Sequence, residues 1–220
     1  MFVLIAAEDR TGGGLQQIIA KAVQARRAEL GKPLLRFPPK HASLNGNAQL
    51  LADCEKYPQR RRNLPTPYDH VVYIMDARRS WGLVPGAAKP SPGRLEEGLA
   101  ELERVVVASM EARARGMLNA SAWAYLRPGF HAHVLVWERE SLILPVLSHF
   151  SLGADIPEPA REMQAAEILT ERARPSGYGY SKADAGARFL NRIAENAELR
   201  DKVIQSNASL HRIIQALVDL

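Results

Sequence analysis

The sequence predicts an α/β fold: a mostly parallel central sheet flanked by helices, followed by a C-terminal helical extension. The chain opens on a short continuous apolar run, residues 2 to 7, FVLIAA, the pattern of a strand buried on both faces and hence of a parallel sheet. A glycine turn and a helical apolar period follow directly. Strand and helix patterns then alternate, until helical patterns alone close the chain.

Taken in order, the first strand ends at Glu8-Asp9-Arg10-Thr11 and gives way to Gly12-Gly13-Gly14. Leu15 to Leu30, LQQIIAKAVQARRAEL, repeats its apolar residues Leu15, Ile18, Ile19, Ala22 and Val23 at helical spacing. From Pro33 to Pro67, prolines, basic residues and the polar SLNGN segment break the pattern, with one short helix over Asn47 to Glu55. Val71 to Met75 reads as a second strand inside HVVYIMDARRS, and a Gly/Pro-rich loop runs from Gly82 to Gly93. Arg94-Leu95-Glu96-Glu97 then opens a long helix through about Arg115, with Leu95, Leu99, Leu102, Val106 and Met110 on its buried face.

Aromatic alternation at Trp123 and Tyr125 predicts a strand over Ala120 to Leu126, stopped by Pro128-Gly129, and HAHVLVW, His131 to Trp137, predicts another. ERESLILPVLSHF follows as a short helix that tolerates Pro145 near its first turns. Helical patterns cover Pro159 to Arg174, Lys182 to Asn196, and about Ala208 to Leu220, and no repeat period emerges. This order divides the chain into an α/β domain over 1–150 and a helical extension over 151–220 packed on it.

The 220 residues suffice for a substantial core without disulfide or metal staples. No apolar run approaches the roughly 18 to 20 residues of a membrane span, so no membrane association is expected. MFVLIAAEDRTGGG lacks the basic start and the cleavage-site pattern of a secretory signal. The single cysteine, Cys54, excludes an intramolecular disulfide and a Cys-rich zinc site, which fits a cytoplasmic location.

A net charge of +5 permits binding to a polyanion, and its distribution is more informative. Basic residues cluster at Arg26-Arg27, Arg60-Arg61-Arg62, Arg78-Arg79 and Arg113/Arg115. Arg60, Arg61 and Arg62 stand among Pro58, Pro65 and Pro67, in an expected exposed loop. Three adjacent guanidiniums there either meet phosphates or stay solvated, with no aromatic side chains interleaved among them.

The candidate chemistry lies at strand ends. In an open α/β sheet, ligands bind beyond the carboxyl ends of the strands, where both Glu8 and Asp76 fall. Converging carboxylates hold Mg²⁺ or Mn²⁺ because hard cations prefer oxygen, and the ion then stabilises a phosphoryl transition state. The competing reading makes each acid the cap of the turn or helix that follows it. Glu138 and Glu140, in WERES, stand at a third strand end with the same two readings open, pairing with Arg139 being a further possibility.

The glycine triplet matches neither dinucleotide nor P-loop fingerprint, and a flexible turn explains it as well as a phosphate cradle does. His131 and His133 share one strand face, but no third nitrogen or sulfur ligand is evident nearby. There is no nucleophile elbow.

FVLIAAED, VVYIMDAR, WERESLILP, YGYSKADAG with Tyr180, Lys182 and Gly186, and SNASLHRIIQAL occur in an order that spans nearly the whole chain. In that order the chain resembles the Toprim-related bacterial domain-of-unknown-function family four-two-seven-six. Its relatives are the Toprim domains of the overcoming-lysogenization-defect nucleases. The resemblance implies a Toprim/Rossmann-like sheet and a Mg²⁺- or Mn²⁺-dependent nuclease or nucleic-acid-binding protein, acting with a partner ATPase, in phage defence.

By that similarity Glu8 is the general acid/base or metal-organising glutamate and Asp76 the first acid of D-x-D. Glu138 or Glu140 supplies a further oxygen ligand, and Arg60 to Arg62, Arg78, Arg79 and Lys182 face phosphates. The chain departs from the pattern at Arg78, where the second acid belongs, and at Asp9, where a glycine often follows the glutamate. Leu210 also replaces an aromatic. A degenerate site is the alternative: a binding or regulatory subunit whose last helix docks a partner through Leu210, Ile213, Ile214 and Leu217.

Overall fold

The computed structural model describes residues 1–8, 14–39, 42–44, 46–62, 67–174 and 185–220. In chain order its elements begin with β1 (Val3–Glu8), α1 (Gly14–Glu29), β2 (Ala42–Leu44), α2 (Asn47–Cys54), α3 (Tyr57–Arg60), β3 (His70–Asp76) and α4 (Ala77–Ser80). Next come α5 (Leu95–Arg115), α6 (Ala120–Leu126), β4 (Phe130–Leu135), α7 (Ala165–Ala173), α8 (Ala185–Glu195), α9 (Ala197–Ser206) and α10 (Ala208–Val218). Two compact units result, Met1–Glu8 with Leu35–Val134, and Asp9–Leu34 with Leu135–Leu220. The division differs from the boundary read at 150, because α1 joins the C-terminal helices.

The first unit is built on a sheet of order β2-β1-β3-β4. β1 pairs in parallel with β2, from Ala6↔Ala42 to Glu8↔Leu44, and with β3, from Val3↔His70 to Ala7↔Ile74. Val3 to Ala7 and Val71 to Asp76 are buried throughout, as an apolar run covered on both faces requires. α5 presents Leu102, Val106, Met110 and Ala114 at four-residue steps, all buried, and packs against α2. Full burial of each large apolar side chain there contributes about 1.5–3 kcal/mol. Tyr57, buried beside Phe130 with ring centroids 5.1 Å apart, donates its hydroxyl to the Leu126 carbonyl.

In the second unit α1 packs on α8 and α10. Gly14 opens α1 where a Cβ would lie 2.6 Å from the Leu190 Cβ, so glycine is required there for helix–helix approach. Gly12 and Gly13 lie outside the described residues. Leu210, Ile213, Ile214 and Leu217 of α10 are all buried, so the apolar face read as a docking surface is already covered by its own chain. Arg27, also buried, donates to the carbonyls of Pro33 at 2.7 Å and Val218 at 2.9 Å, tying α1 to the end of α10.

Several elements differ from their sequence pattern. Ala120 to Leu126 is a helix, α6, because Asn119 caps it by accepting from Ala122 N at 2.9 Å and alanine favours helix. The aromatic alternation there is no pleat: Tyr125 is 80% exposed, while Trp123 packs edge-on against Tyr57 and Phe130. ERESLILPVLSHF forms two 3-10 stretches, Arg139–Leu142 and Leu144–Phe150, with non-helical backbone at Val146. Pro159–Arg161 is a 3-10 turn set apart from α7, and the unforeseen α9 starts at an Asn196 cap that accepts from Leu199 N at 3.1 Å. β2, too, falls inside the segment read as irregular.

Candidate functional site

The carboxyl ends of β1 and β3 bring together Glu8, Gly46, Asn47, Asp76 and Arg79, all from the first unit. Asp76 ends β3 and is 5% exposed. Its backbone is held by Asn47, the first residue of α2, which bonds both its N–H and its carbonyl. Glu8 ends β1 with a side chain 14% exposed. Its Oε1 lies 3.5 Å from Arg79 Nη1, whereas its Oε2 is buried with no hydrogen-bond partner. A buried carboxylate oxygen without a donor costs about 1–3 kcal/mol or more. Gly46, at φ 94, leaves room beside Glu8: a Cβ built there would stop 4.0 Å from Oε1.

The strand register limits how the two acids meet. Continuing it past Ala7↔Ile74 sets Glu8 level with Met75 and leaves Asp76 one residue further along. Alternation then puts Glu8 on the face of Leu4, Ala6 and Tyr73, and Asp76 on the face of Val72 and Ile74. Tyr73 donates to the Asp53 carbonyl of α2, so the Glu8 face is the one that α2 covers. A single ion therefore reaches both carboxylates only above the strand ends, not across one face of the sheet.

Glu138 and Glu140 sit within the second unit, 2% and 3% exposed. Glu138 Oε1 accepts from Ala166 N at 3.1 Å in the first turn of α7, the helix-start capping that competed with metal binding. Glu140 Oε1 lies 3.3 Å from the Nε of buried Arg139. Trp137 is core, donating its indole N–H to the Ala160 carbonyl at 2.6 Å. Among the described residues no group of three or more His, Cys, Asp or Glu side chains is arranged to hold a metal ion. Mg²⁺ does not demand three, since it keeps several waters and binds through one or two carboxylates. Glu8 and Asp76 supply that number of carboxylates, at neighbouring strand ends and on opposite faces of the sheet.

The basic clusters separate. Arg60 forks onto Asp53 through Nε at 2.8 Å and Nη2 at 2.7 Å. Arg61 donates to the carbonyls of Tyr68 and Asp69, just before β3 begins, and Arg62 is exposed. Arg78 and Arg79 stand at the other end of that strand, in α4. Seven residues at about 3.3 Å each separate the two ends by roughly 20 Å. The Arg60 to Arg62 cluster thus stands beside the start of β3, and Arg78 and Arg79 beside its end. Elsewhere Arg26 pairs with Glu29 and Arg113 with Glu55. Lys182 and Tyr180 lie outside the described residues.

A pair missed by the sequence reading lies at the amino end of the sheet, where His70 Nδ1 and His131 Nε2 are 2.9 Å apart. Burial above all, then His70, His133 and nearby guanidiniums, holds the His131 imidazole down to about 4. The signal was present in β3 and β4 but needed their adjacency to be read. Cys54 is fully buried, and burial pushes its thiol up, out of reach of nucleophilic chemistry.

Comparison with protein-family models, curated proteins and solved structures finds no match. No helix among the described residues is long and apolar enough to cross a membrane.

Proposed function

We propose that this chain is a Toprim-like, nucleic-acid-binding protein in which Glu8 and Asp76 hold one Mg²⁺ or Mn²⁺ for phosphodiester hydrolysis. The observation that carries the reading is the buried Glu8 Oε2, which lacks any hydrogen-bond donor at the carboxyl end of a parallel strand. Such an oxygen is stabilised by a cation or by a proton. When bound, the ion supplies charge stabilisation to phosphoryl oxygens. Glu8 offers Oε2, Asp76 is positioned by Asn47, and Arg79, half exposed, presents a guanidinium to phosphate. The cytoplasmic setting and the partner ATPase belong to the same proposal.

The test is cleavage of plasmid and of single-stranded oligonucleotide by the full chain in Mg²⁺ or Mn²⁺. Glu8→Gln and Asp76→Asn are each expected to abolish cutting. Cutting unaffected by both ends the assignment.

A second reading is favoured by the Glu8–Arg79 ion pair together with Arg78 at the place of the second acid. In it, arginine replaces the metal and the protein binds without cleaving, as a regulatory subunit. Calorimetry showing no Mn²⁺ binding, with nucleic-acid affinity intact and co-purification with an ATPase, selects this reading.

A further inference from the structure

We infer that Arg79 is a displaceable counter-ion whose release from Glu8 couples cation binding to polyanion binding. The inference rests on the reading that Glu8 takes a divalent cation. Glu8 has two oxygens in unlike states: Oε2 is buried without a partner, and Oε1 has Arg79 Nη1 at 3.5 Å. That distance is too long for a strong charge-assisted hydrogen bond, which runs at about 2.7–2.9 Å. The Arg79 side chain is 51% exposed, so water already solvates much of the guanidinium and the pair is weak.

A doubly charged ion at Glu8 outcompetes this arginine for two reasons. It carries twice the charge, and it satisfies the oxygen that Arg79 leaves bare. Gly46 leaves space beside Oε1, since even an added Cβ there would stop 4.0 Å short. Once displaced, Arg79 loses its carboxylate and is repelled by the cation, while remaining in the α4 turn just past the end of β3. A phosphate oxygen is then its best partner, because the guanidinium fork matches phosphate geometry. Cation and polyanion each free what the other needs. By linkage, each must raise the other's affinity by the same factor.

The experiment is calorimetric titration of the full chain with Mn²⁺, with and without a hydrolysis-resistant phosphorothioate oligonucleotide, in wild type and in Arg79→Gln. In wild type, saturating oligonucleotide is expected to tighten Mn²⁺ binding by about fivefold or more, and saturating Mn²⁺ to tighten oligonucleotide binding by the same factor. In Arg79→Gln, Mn²⁺ alone should bind more tightly than to wild type, oligonucleotide more weakly, and the mutual enhancement should vanish. Arg79 is exposed enough that the substitution leaves the fold intact, which circular dichroism checks. Equal Mn²⁺ affinity in the two proteins, or enhancement that survives in Arg79→Gln, overturns the coupling alone. Absence of Mn²⁺ binding by both proteins overturns the cation reading as well.

Discussion

Asn47 grips Asp76 by its backbone at both ends of one amide side chain: Nδ2 donates to the Asp76 carbonyl at 2.8 Å and Oδ1 accepts from the Asp76 N–H at 3.3 Å. The bond pair fixes where β3 stops and α4 begins, and so where Arg78 and Arg79 emerge. Asn47→Ala removes both bonds inside a buried environment. It is expected to destabilise the protein by about 1–3 kcal/mol in urea unfolding and to weaken Mn²⁺ binding. Unchanged stability would show that water or another group takes over both bonds.

The Arg60–Asp53 fork predicts a separation of stability from binding. Asp53 is 4% exposed, and without Arg60 its carboxylate is left buried and unpaired. Arg60→Ala is therefore expected to cost about 3 kcal/mol while leaving the salt dependence of nucleic-acid binding unchanged. Arg62→Ala, at an exposed position, should move stability by no more than about 0.5 kcal/mol. A lower salt slope in Arg60→Ala, measured by fluorescence anisotropy, would return Arg60 to the phosphate-binding set.

These two cases show what the sequence makes legible. FVLIAA and VVYIM are readable because a strand buried on both faces needs an unbroken apolar run, and their short length and β-branched or aromatic residues separate them from a buried helix. Arg60, Arg61 and Arg62 resemble a phosphate-binding loop because adjacency in sequence is visible and the acceptors are not. Asp53 lies seven residues away, and the Tyr68 and Asp69 carbonyls carry no sequence signature. The strand-end acids separate on the same principle: Glu8 keeps an unsatisfied oxygen, whereas Glu138 finds the Ala166 N–H across 28 residues of chain.

The tail shows the same substitution of structure for signal. In SNASLHRIIQAL, Asn207 accepts from Leu210 N at 2.9 Å as the cap of α10 and also from Ser209 Oγ, while its own Nδ2 donates to the Val136 carbonyl. Ser209 Oγ in turn accepts from Val136 N at 3.0 Å. This stretch, one of the segments that carry the family resemblance, clamps residue 136. Asn207→Ala is expected to cost about 2–3 kcal/mol, the loss of a helix cap plus a buried bond, and Asn207→Asp about 1–2 kcal/mol, since it keeps the cap but loses the donor to the Val136 carbonyl. Thermal unfolding of both variants measures this. An Asp variant as stable as wild type would leave only the cap.

Acid should destabilise the protein through the histidine pair. His131 is lowered from the ordinary imidazole value of 6.5 to about 4, first by burial and then by His70, His133, Arg127 and Arg61. His70 is lowered too, again first by burial and then by Arg61, with Asp69 opposing. With the pair 2.9 Å apart, one neutral ring donates to the other, and protonating both sets two cations side by side. Between pH 6.5 and 4 the unfolded chain binds these protons and the folded chain resists them. Stability from this source is complete above about 6.5 and is lost as pH falls through that interval. His131→Phe keeps a ring beside His70 and removes one titrating site. Its unfolding free energy should fall less steeply than wild type's from pH 6.5 to 4, by up to ~1 proton of linkage. Parallel pH profiles for the two proteins would assign the acid sensitivity to other groups.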